Sequence, residues 1–230
     1  MATERPIAER TAAVIPAYNA AHHLERVLDG VARHLPRERI VVVDDGSSDD
    51  SFGVARRAGV AAVQHERNLG KGAALGTGIA KAAEIGAEYA ITLDADEQHD
   101  PDDIPAFLRR WGETRADIIV GNRLETPAGM PALRLWTNHV TSWAVSLLAR
   151  ARIPDSQNGY RMIRAGLYAQ LGVRSVRYEA ESELLIRAGR AGARIASVPV
   201  RTIYGAEQSA INPLVDTGRF LRLVFKSFFW

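Results

Sequence analysis

The feature that most limits what this chain can fold into is an alternation of short apolar runs with amphipathic stretches through residues 11–121. "TAAVIP" (11–16) reads as a buried strand. The stretch "HHLERVLDGVARHL" then puts Leu24, Val27, Leu28 and Val31 on one helical face. "RIVVVDD" is a second strand, and "SDDSFGVARRAG" a helix with acids in its first turn and glycine at its end. "VAAVQHE", "YAITLD" and "ADIIVG" supply three more strands, with the helical patterns "GKGAALGTGIAKAAEIG" and "PDDIPAFLRRW" between them. Such alternation predicts an α/β fold: a mostly parallel sheet with helices on both faces. Ligands in these folds bind beyond the carboxyl ends of the strands. That rule selects residues 16–19, 44–47, 94–96 and 121–123.

The second half changes character. "PALRLWTNHVTSWAVSLLARAR" (131–152) is a long helical pattern with Leu133, Trp136, Val140, Trp143 and Leu147 along one stripe. Core packing is the leading reading of that stripe, with a membrane-interface face as its rival. After the loop "IPDSQNGYR" come a helix in "YEAESELLIRAGRAG", a strand in "ARIASVPVRTIY" and an amphipathic C-terminal helix in "NPLVDTGRFLRLVFKSFFW". The tail spaces Arg219, Arg222 and Lys226 as one basic stripe among Phe, Leu, Val and Trp. That suits a membrane interface, or equally a core-packed terminal helix whose cations snorkel outward. No repeat or low-complexity linker divides the halves, so residues 1–230 are expected to form one domain. No run of about 18 uncharged apolar residues reads as a spanning helix.

Composition removes several functions. The chain has 230 residues, 47% of them hydrophobic, which is enough to bury a sizeable core. It has no cysteine, which excludes disulfides, thiolate metal sites and cysteine nucleophiles. Lys and Arg number 29 against 27 Asp and Glu, a net charge of +2, so the chain is no nucleic-acid-binding polycation. The six histidines lack metal-type spacing. The opening "MATERPIAER" lacks the basic-then-apolar order of a signal peptide, and a cytoplasmic setting is expected.

The chemistry concentrates in "YAITLDADEQHDP". In an extended segment residues i and i+2 point the same way, so Asp94 and Asp96 can present two carboxylates to one point. Like charges at a buried strand end are costly unless a cation or proton compensates. Mg²⁺ or Mn²⁺ suits one or two carboxylates plus ligand phosphates. The plain alternative is helix capping, which is the reading taken for Asp100, Asp102 and Asp103. In "VVVDDGSSDD", Asp44 is placed to bind a ribose hydroxyl or base edge, or else the segment is a turn in which Ser47, Ser48 or Asp49 caps a helix. "NLGKGAAL" fails the P-loop pattern because Gly72 follows Lys71. It still sets glycine amides and a lysine at a helix start, which suits anions. Arg123 ends the fifth strand and suits phosphate oxygens, or is simply solvated. Glu179 and Glu183 share a helical face, either as surface acids or as cleft contacts.

"VIPAYN", "VVVDDGSSDD", "NLGKGAAL", "LDADEQHDP", "VGNR", "DSQNGYR", "ESELLIRAGRAG", "VPV" and "SAINPLVDTGRF" occur in one order across nearly the whole chain. The set resembles family 2 glycosyltransferases of the GT-A fold, in the branch typified by dolichyl-phosphate mannose synthase. The resemblance implies an inverting transfer from a nucleotide-activated sugar, with Mg²⁺ or Mn²⁺ on the diphosphate. Residues 1–124 would be the nucleotide-sugar half and 125–230 the acceptor half. Pro16, Ala17, Tyr18 and Asn19 would line the base and ribose pocket, Asp44 would bind the nucleoside, and Lys71 would help hold the nucleotide. Asp94 and Asp96 would be the metal-binding pair, with Gln98 near the donor's phosphates or sugar. Arg123 would contact phosphate, and Asp155, Arg161 and Ser209 would lie at the acceptor side. Asp96, Asp155 and Arg123 are thus the implied catalytic group.

The implied donor is GDP-mannose and the implied acceptor a polyprenyl phosphate, reached as a peripheral protein at the inner face of a membrane. A UDP-sugar with a soluble or glycan hydroxyl acceptor is the alternative; Asp155 or Asp96 would then take the proton. A non-catalytic sugar-nucleotide-binding protein is the third reading. Three positions depart from the family pattern. Glu97 stands where relatives usually carry glycine, and is expected to point away from the metal and cap the next helix. Ala20 replaces a frequent glutamate, and Ala210 a frequent basic residue.

Overall fold

The computed structural model describes residues 5–125, 127, 129–201, 203 and 213–227. Its strands are β1 (Thr11–Ala17), β2 (Ile40–Asp44), β3 (Ala61–Gln64), β4 (Tyr89–Thr92), β5 (Ile118–Asn122), β6 (Arg161–Arg164) and β7 (Ile195–Pro199). They form one sheet in the order β3-β2-β1-β4-β6-β5-β7. All neighbours pair in parallel except β6, which runs antiparallel to both β4 and β5. The central strands are apolar and buried on both faces, as a doubly covered parallel sheet requires.

The helices are α1 (Ala21–Ala32), α2 (Ser51–Arg57), α3 (Lys71–Glu84), α4 (Ile104–Thr114), α5 (Ala132–Ala149), α6 (Ala165–Leu171), α7 (Glu179–Arg190) and α8 (Pro213–Ser227). Alternation along β1 assigns them to two layers. Ala13, Ile15 and Ala17 share a core with Leu24, Leu28 and Val31 of α1, Ala55 of α2, and Phe107 and Trp111 of α4. Ala12 and Val14 share the other with Ala74 and Ile79 of α3, Val145 of α5, Leu167 of α6, Leu184 and Leu185 of α7, and Leu223 of α8.

Strand β6 is not foreseen from the sequence. "RMIR" is four residues long with arginine at both ends, so it carries neither an apolar run nor clean alternation. Its effect is large. Arg161 pairs with Thr92 and Val120 at the ends of β4 and β5. An antiparallel strand that begins at this edge brings the preceding 155–159 loop to the carboxyl ends of the parallel strands.

The expectation that the α5 stripe packs into the core is overturned. Trp136 and Trp143 are 64% and 68% exposed, and Leu133, Val140 and Leu147 are exposed with them. The buried face is Asn138, Ser142, Val145 and Ala149. The inward hydroxyls have work there. Ser142 Oγ accepts the Ser156 amide at 2.9 Å, and Ser146 Oγ accepts the Ile153 amide at 3.0 Å, fastening the loop after the helix. In α8, Leu223 is buried while Arg222, Phe225 and Lys226 are exposed; the Arg219 side chain lies outside the described residues. Arg190 of α7 donates to Leu148 O at 2.9 Å and also to Ser227 O, joining α5, α7 and α8. Among the described residues no helix is long and apolar enough to cross a membrane.

Candidate active site

The first wall of the site comes from the ends of β1 and β2. Pro16 and Ala17 close β1, and Tyr18 beyond them is exposed. Asn19 takes a left-handed φ of 51°, a conformation asparagine tolerates. Its amide donates to Ser47 Oγ at 2.9 Å and its Oδ1 accepts the Ser48 amide at 2.8 Å. Asp44 ends β2 fully buried and accepts the Ser47 amide at 3.2 Å and Gln64 Nε2 at 2.9 Å. The N-cap position of α2 is Asp50, not Ser47, Ser48 or Asp49; Asp49 instead takes the Ser51 and Ala21 amides at 3.0 Å each. The neighbouring Asp45 escapes sequence reading. It is buried and accepts the Leu69 and Gly70 amides at 3.0 and 2.8 Å, with His65 Nδ1 2.7 Å away. It thereby sets the loop that delivers Lys71.

Lys71 opens α3, and two glycines place it. Gly70 has φ +104°, and a Cβ on Gly72 would lie 2.5 Å from the Ala180 Cβ, so only glycine lets α7 come this near. The Lys71 ammonium lies 2.7 and 2.9 Å from the two Asp94 oxygens and 2.9 Å from Glu181 Oε1. Burial alone would lower its pKa, but Asp94 and Glu181 more than offset that and raise it. Burial likewise opposes the Asp94 carboxylate, yet Lys71 holds its pKa at about 2. Both are charged at neutral pH. Sequence reading weighed Glu179 and Glu183 and overlooked Glu181. The overlooked signal is the small pair Ala180 and Ser182 around it, which allows α7 to press this carboxylate against the GKG turn.

The acid loop differs from its extended expectation. After Asp94 the chain turns through residues 95–97, and Glu97 sits at φ +63°. Asp94 and Asp96 both stay partly exposed at the carboxyl edge of the sheet. Asp96 Oδ1 accepts the Gln98 amide at 3.0 Å, and Gln98 O accepts the Ile203 amide at 3.1 Å. His99 accepts the Asp94 amide on Nδ1 at 2.9 Å, so its proton is on Nε2, 3.0 Å from Asn158 Oδ1. Burial lowers its pKa and keeps it neutral. Glu97 does point away, but it caps nothing. Its Oε1 lies 2.6 Å from His23 Nδ1 and 2.9 Å from Arg26 Nε, both on α1. The cap is Asp100, which takes the Asp102 amide at 2.9 Å. Asp102 instead pairs with Arg33 and His34, and Asp103 accepts the Arg201 amide.

The acids fit a divalent cation of the kind that leans on substrate phosphates. Among the described residues no three His, Asp or Glu groups converge as a metal cage. Lys71 takes both Asp94 oxygens, whereas Asp96 spends one oxygen on the Gln98 amide. Asp96 is therefore the direct protein donor on offer, and a ligand's diphosphate must supply most of the rest.

Arg123 and Asp155 close the far wall. Arg123 Nε and Nη2 donate to the two Asp155 oxygens at 2.9 and 3.0 Å, and its amide adds a third bond at 3.2 Å. Asp155 is fully buried, and this fork engages both of its oxygens. Arg161 is 1% exposed and donates to Glu181 O and Ser156 O, both at 2.8 Å. It braces the floor beneath Glu181. Ser209 and Ala210 lie outside the described residues.

Comparisons with known proteins show the family and the fold. The sequence model of glycosyl transferase family 2 matches residues 12–170. The UDP-N-acetylglucosamine–dolichyl-phosphate N-acetylglucosaminyltransferase of Methanococcus voltae is 33% identical, the match covering 92% of this chain and 93% of that protein. The undecaprenyl-phosphate mannosyltransferase of Micrococcus luteus is 28% identical over 83% of this chain and 82% of its own. Among solved structures, glucosyl-3-phosphoglycerate synthase from Mycobacterium tuberculosis, crystallised with Mn²⁺, UDP and glucosyl-3-phosphoglycerate, superposes with a TM-score of 0.70. That match covers 97% of this chain and 81% of that one at 19% identity, a likeness of fold.

Proposed function

The chain belongs to glycosyl transferase family 2 and is a glycosyltransferase of the GT-A fold, and we propose that it moves a hexose, with inversion, from a nucleotide sugar to a polyprenyl phosphate at a membrane surface. The outward apolar stripe of α5 carries this reading. A helix that turns Leu133, Trp136, Trp143 and Leu147 to the outside and Asn138 and Ser142 to the inside is built to meet something apolar. Residues 132–149 contain no acid and include Arg134, with Arg150 and Arg152 just beyond. Tryptophans flanked by cations suit an anionic bilayer surface. Relatives whose names specify dolichyl- or undecaprenyl-phosphate support a lipid acceptor.

The chemistry supports it as well. Asp155 is locked by Arg123 and Asp94 by Lys71, which among the described residues leaves Asp96 as the open carboxylate of the acid loop. A lipid phosphate is already anionic and needs no base. Its oxygen attacks the anomeric carbon from the face opposite the leaving group, and the bond from that carbon to the diphosphate oxygen breaks, with the electron pair leaving on the nucleoside diphosphate. Residues 16–19 and Asp44 hold the nucleoside, and Gln98 lies toward the phosphates. Lys71 at the α3 N-terminus and Arg123 offset charge gathering on the leaving group. A divalent cation held through Asp96, when bound, supplies further positive charge to the diphosphate. Residues 1–124 act as the donor half and 125–230 as the acceptor half of one domain.

GDP-mannose is the donor proposed first, in line with the mannosyltransferase named above. UDP-N-acetylglucosamine is the second reading, favoured by the 33% identical relative. Labelled GDP-mannose and UDP-N-acetylglucosamine are each incubated with polyprenyl phosphate and Mn²⁺, and the lipid phase is extracted. Label in a lipid monophosphate sugar is expected with one donor. Release of free sugar alone, with no lipid product from either, overturns the acceptor proposal.

A further inference from the structure

We propose that Glu97 is a positioning residue: through His23 and Arg26 it latches the acid loop to α1 and so fixes where Asp96 meets its ligand. The inference rests on the donor site proposed above. Three observations carry it. First, Glu97 occupies φ +63°, a left-handed conformation that strains a side-chain-bearing residue and that something must offset. Second, the offset is visible. Oε1 receives His23 at 2.6 Å and Arg26 at 2.9 Å through Nε and 2.5 Å through Nη2. His23 and Arg26 sit three residues apart, on one helical face. Third, the same turn of α1 is held from the nucleoside side. Ala20 and Ala21 amides donate to Ser51 Oγ at 2.8 Å and Asp49 Oδ2 at 3.0 Å, while Asn19 is tied to Ser47 and Ser48.

One helical turn thus joins the loop after β2 to the loop after β4. Elsewhere the acid loop is held at its edges, by His99 on the Asp94 amide and by Ile203 on Gln98 O. The Glu97 latch holds its middle, beside Asp96. It also draws the extra carboxylate out of the site, so that a cation meets Asp96 without a further acid beside it. A glycine at this position would adopt the same φ freely but would leave the loop untied.

The test is calorimetric binding of UDP and of GDP with Mn²⁺, set beside UMP and GMP without metal, for wild type, Glu97→Ala, Glu97→Gly, Arg26→Ala and the double variant Glu97→Ala/Arg26→Ala. Each single variant is expected to weaken the metal-dependent diphosphate binding about fivefold, the size of a partly exposed ion pair. The double variant should do no worse than Glu97→Ala, since that substitution already removes the contact with Arg26. Metal-free monophosphate binding should stay within about twofold. The Mn²⁺ concentration for half-maximal turnover should rise while kcat at saturating metal holds, a split that general destabilisation would not give. Wild-type-like binding by Glu97→Gly beside a weakened Glu97→Ala would mean that backbone strain matters and the latch does not, which overturns the inference. So would unchanged binding in all variants. If wild type binds neither diphosphate with Mn²⁺, the donor-site reading falls, and the latch with it.

Discussion

Helices α1 and α5 carry the same kind of pattern and use it in opposite ways. In α1 the apolar positions Leu24, Val27, Leu28 and Val31 are buried against the sheet, and Glu25, Arg26 and Asp29 face water. In α5 the apolar positions face out, and the helix is seated through Asn138, Ser142, Val145 and Ala149. Periodicity reveals that a helix has an apolar side; it does not reveal what lies on that side. What separates the two is the remainder of each helix. The polar face of α1 is charged and must be wet. The polar face of α5 is short amides and hydroxyls, which can be buried once they are hydrogen-bonded.

The largest effect expected from this contrast is on stability. Leu28→Ala empties a fully buried position in the α1 layer and should destabilise the fold by about 3 kcal/mol in urea unfolding. A loss below about 1 kcal/mol would mean that α1 is not seated by its apolar stripe, and the contrast with α5 would collapse.

The first half of the chain is the more legible for the same reason. Five of the seven strands and α1 to α4 follow from runs such as "IVVVD" and "YAIT", whose burial on both faces admits one reading. Asp94 and Lys71 stand out in the sequence because charges at strand and helix ends are expensive. Asp45, Glu181 and β6 were not found, because their roles are set by partners far away in sequence. Asp45 serves amides 24 and 25 residues on, and Glu181 meets Lys71 only because Gly72 admits α7. The partner of Asp155 is equally hidden in the sequence. Nothing in "DSQNGYR" says that Arg123, 32 residues back, occupies both its oxygens.

The interior beneath α5 offers the next test. Where the α1 layer buries hydrocarbon, α7 buries the Glu183 carboxylate, which accepts Ser175 and Arg174 amides at 2.8 and 3.2 Å and Arg187 Nε at 2.6 Å. Burial would raise its pKa, but those bonds from Ser175 and Arg187 win and hold it below the ordinary 4.5. Glu183→Gln should therefore cost about 2 kcal/mol at neutral pH. A group with a depressed folded pKa stabilises above its unfolded value and loses that contribution as pH falls through the folded one. The gap between wild type and Glu183→Gln should accordingly be constant above about pH 5 and shrink below the ordinary glutamate range. A gap that stays constant into strong acid would show that Glu183 contributes by shape and not by charge.

The smallest expected effect on stability is the one that speaks most directly to α5. Trp136→Ser with Trp143→Ser removes two large apolar groups that touch little of the protein, so the unfolding free energy in water should change by less than about 0.5 kcal/mol. Ordinary core tryptophans would cost several times that. Partitioning onto vesicles containing anionic lipid should instead fall by more than about tenfold, because each ring transferred from water into the interface is worth more than 1 kcal/mol. Wild-type binding should also weaken as salt is raised, through Arg134, Arg150 and Arg152, and the serine variant should keep that salt slope while losing the affinity beneath it. Stability loss without a change in vesicle binding would return α5 to the core-packing reading, and with it remove the main support for a lipid-borne acceptor.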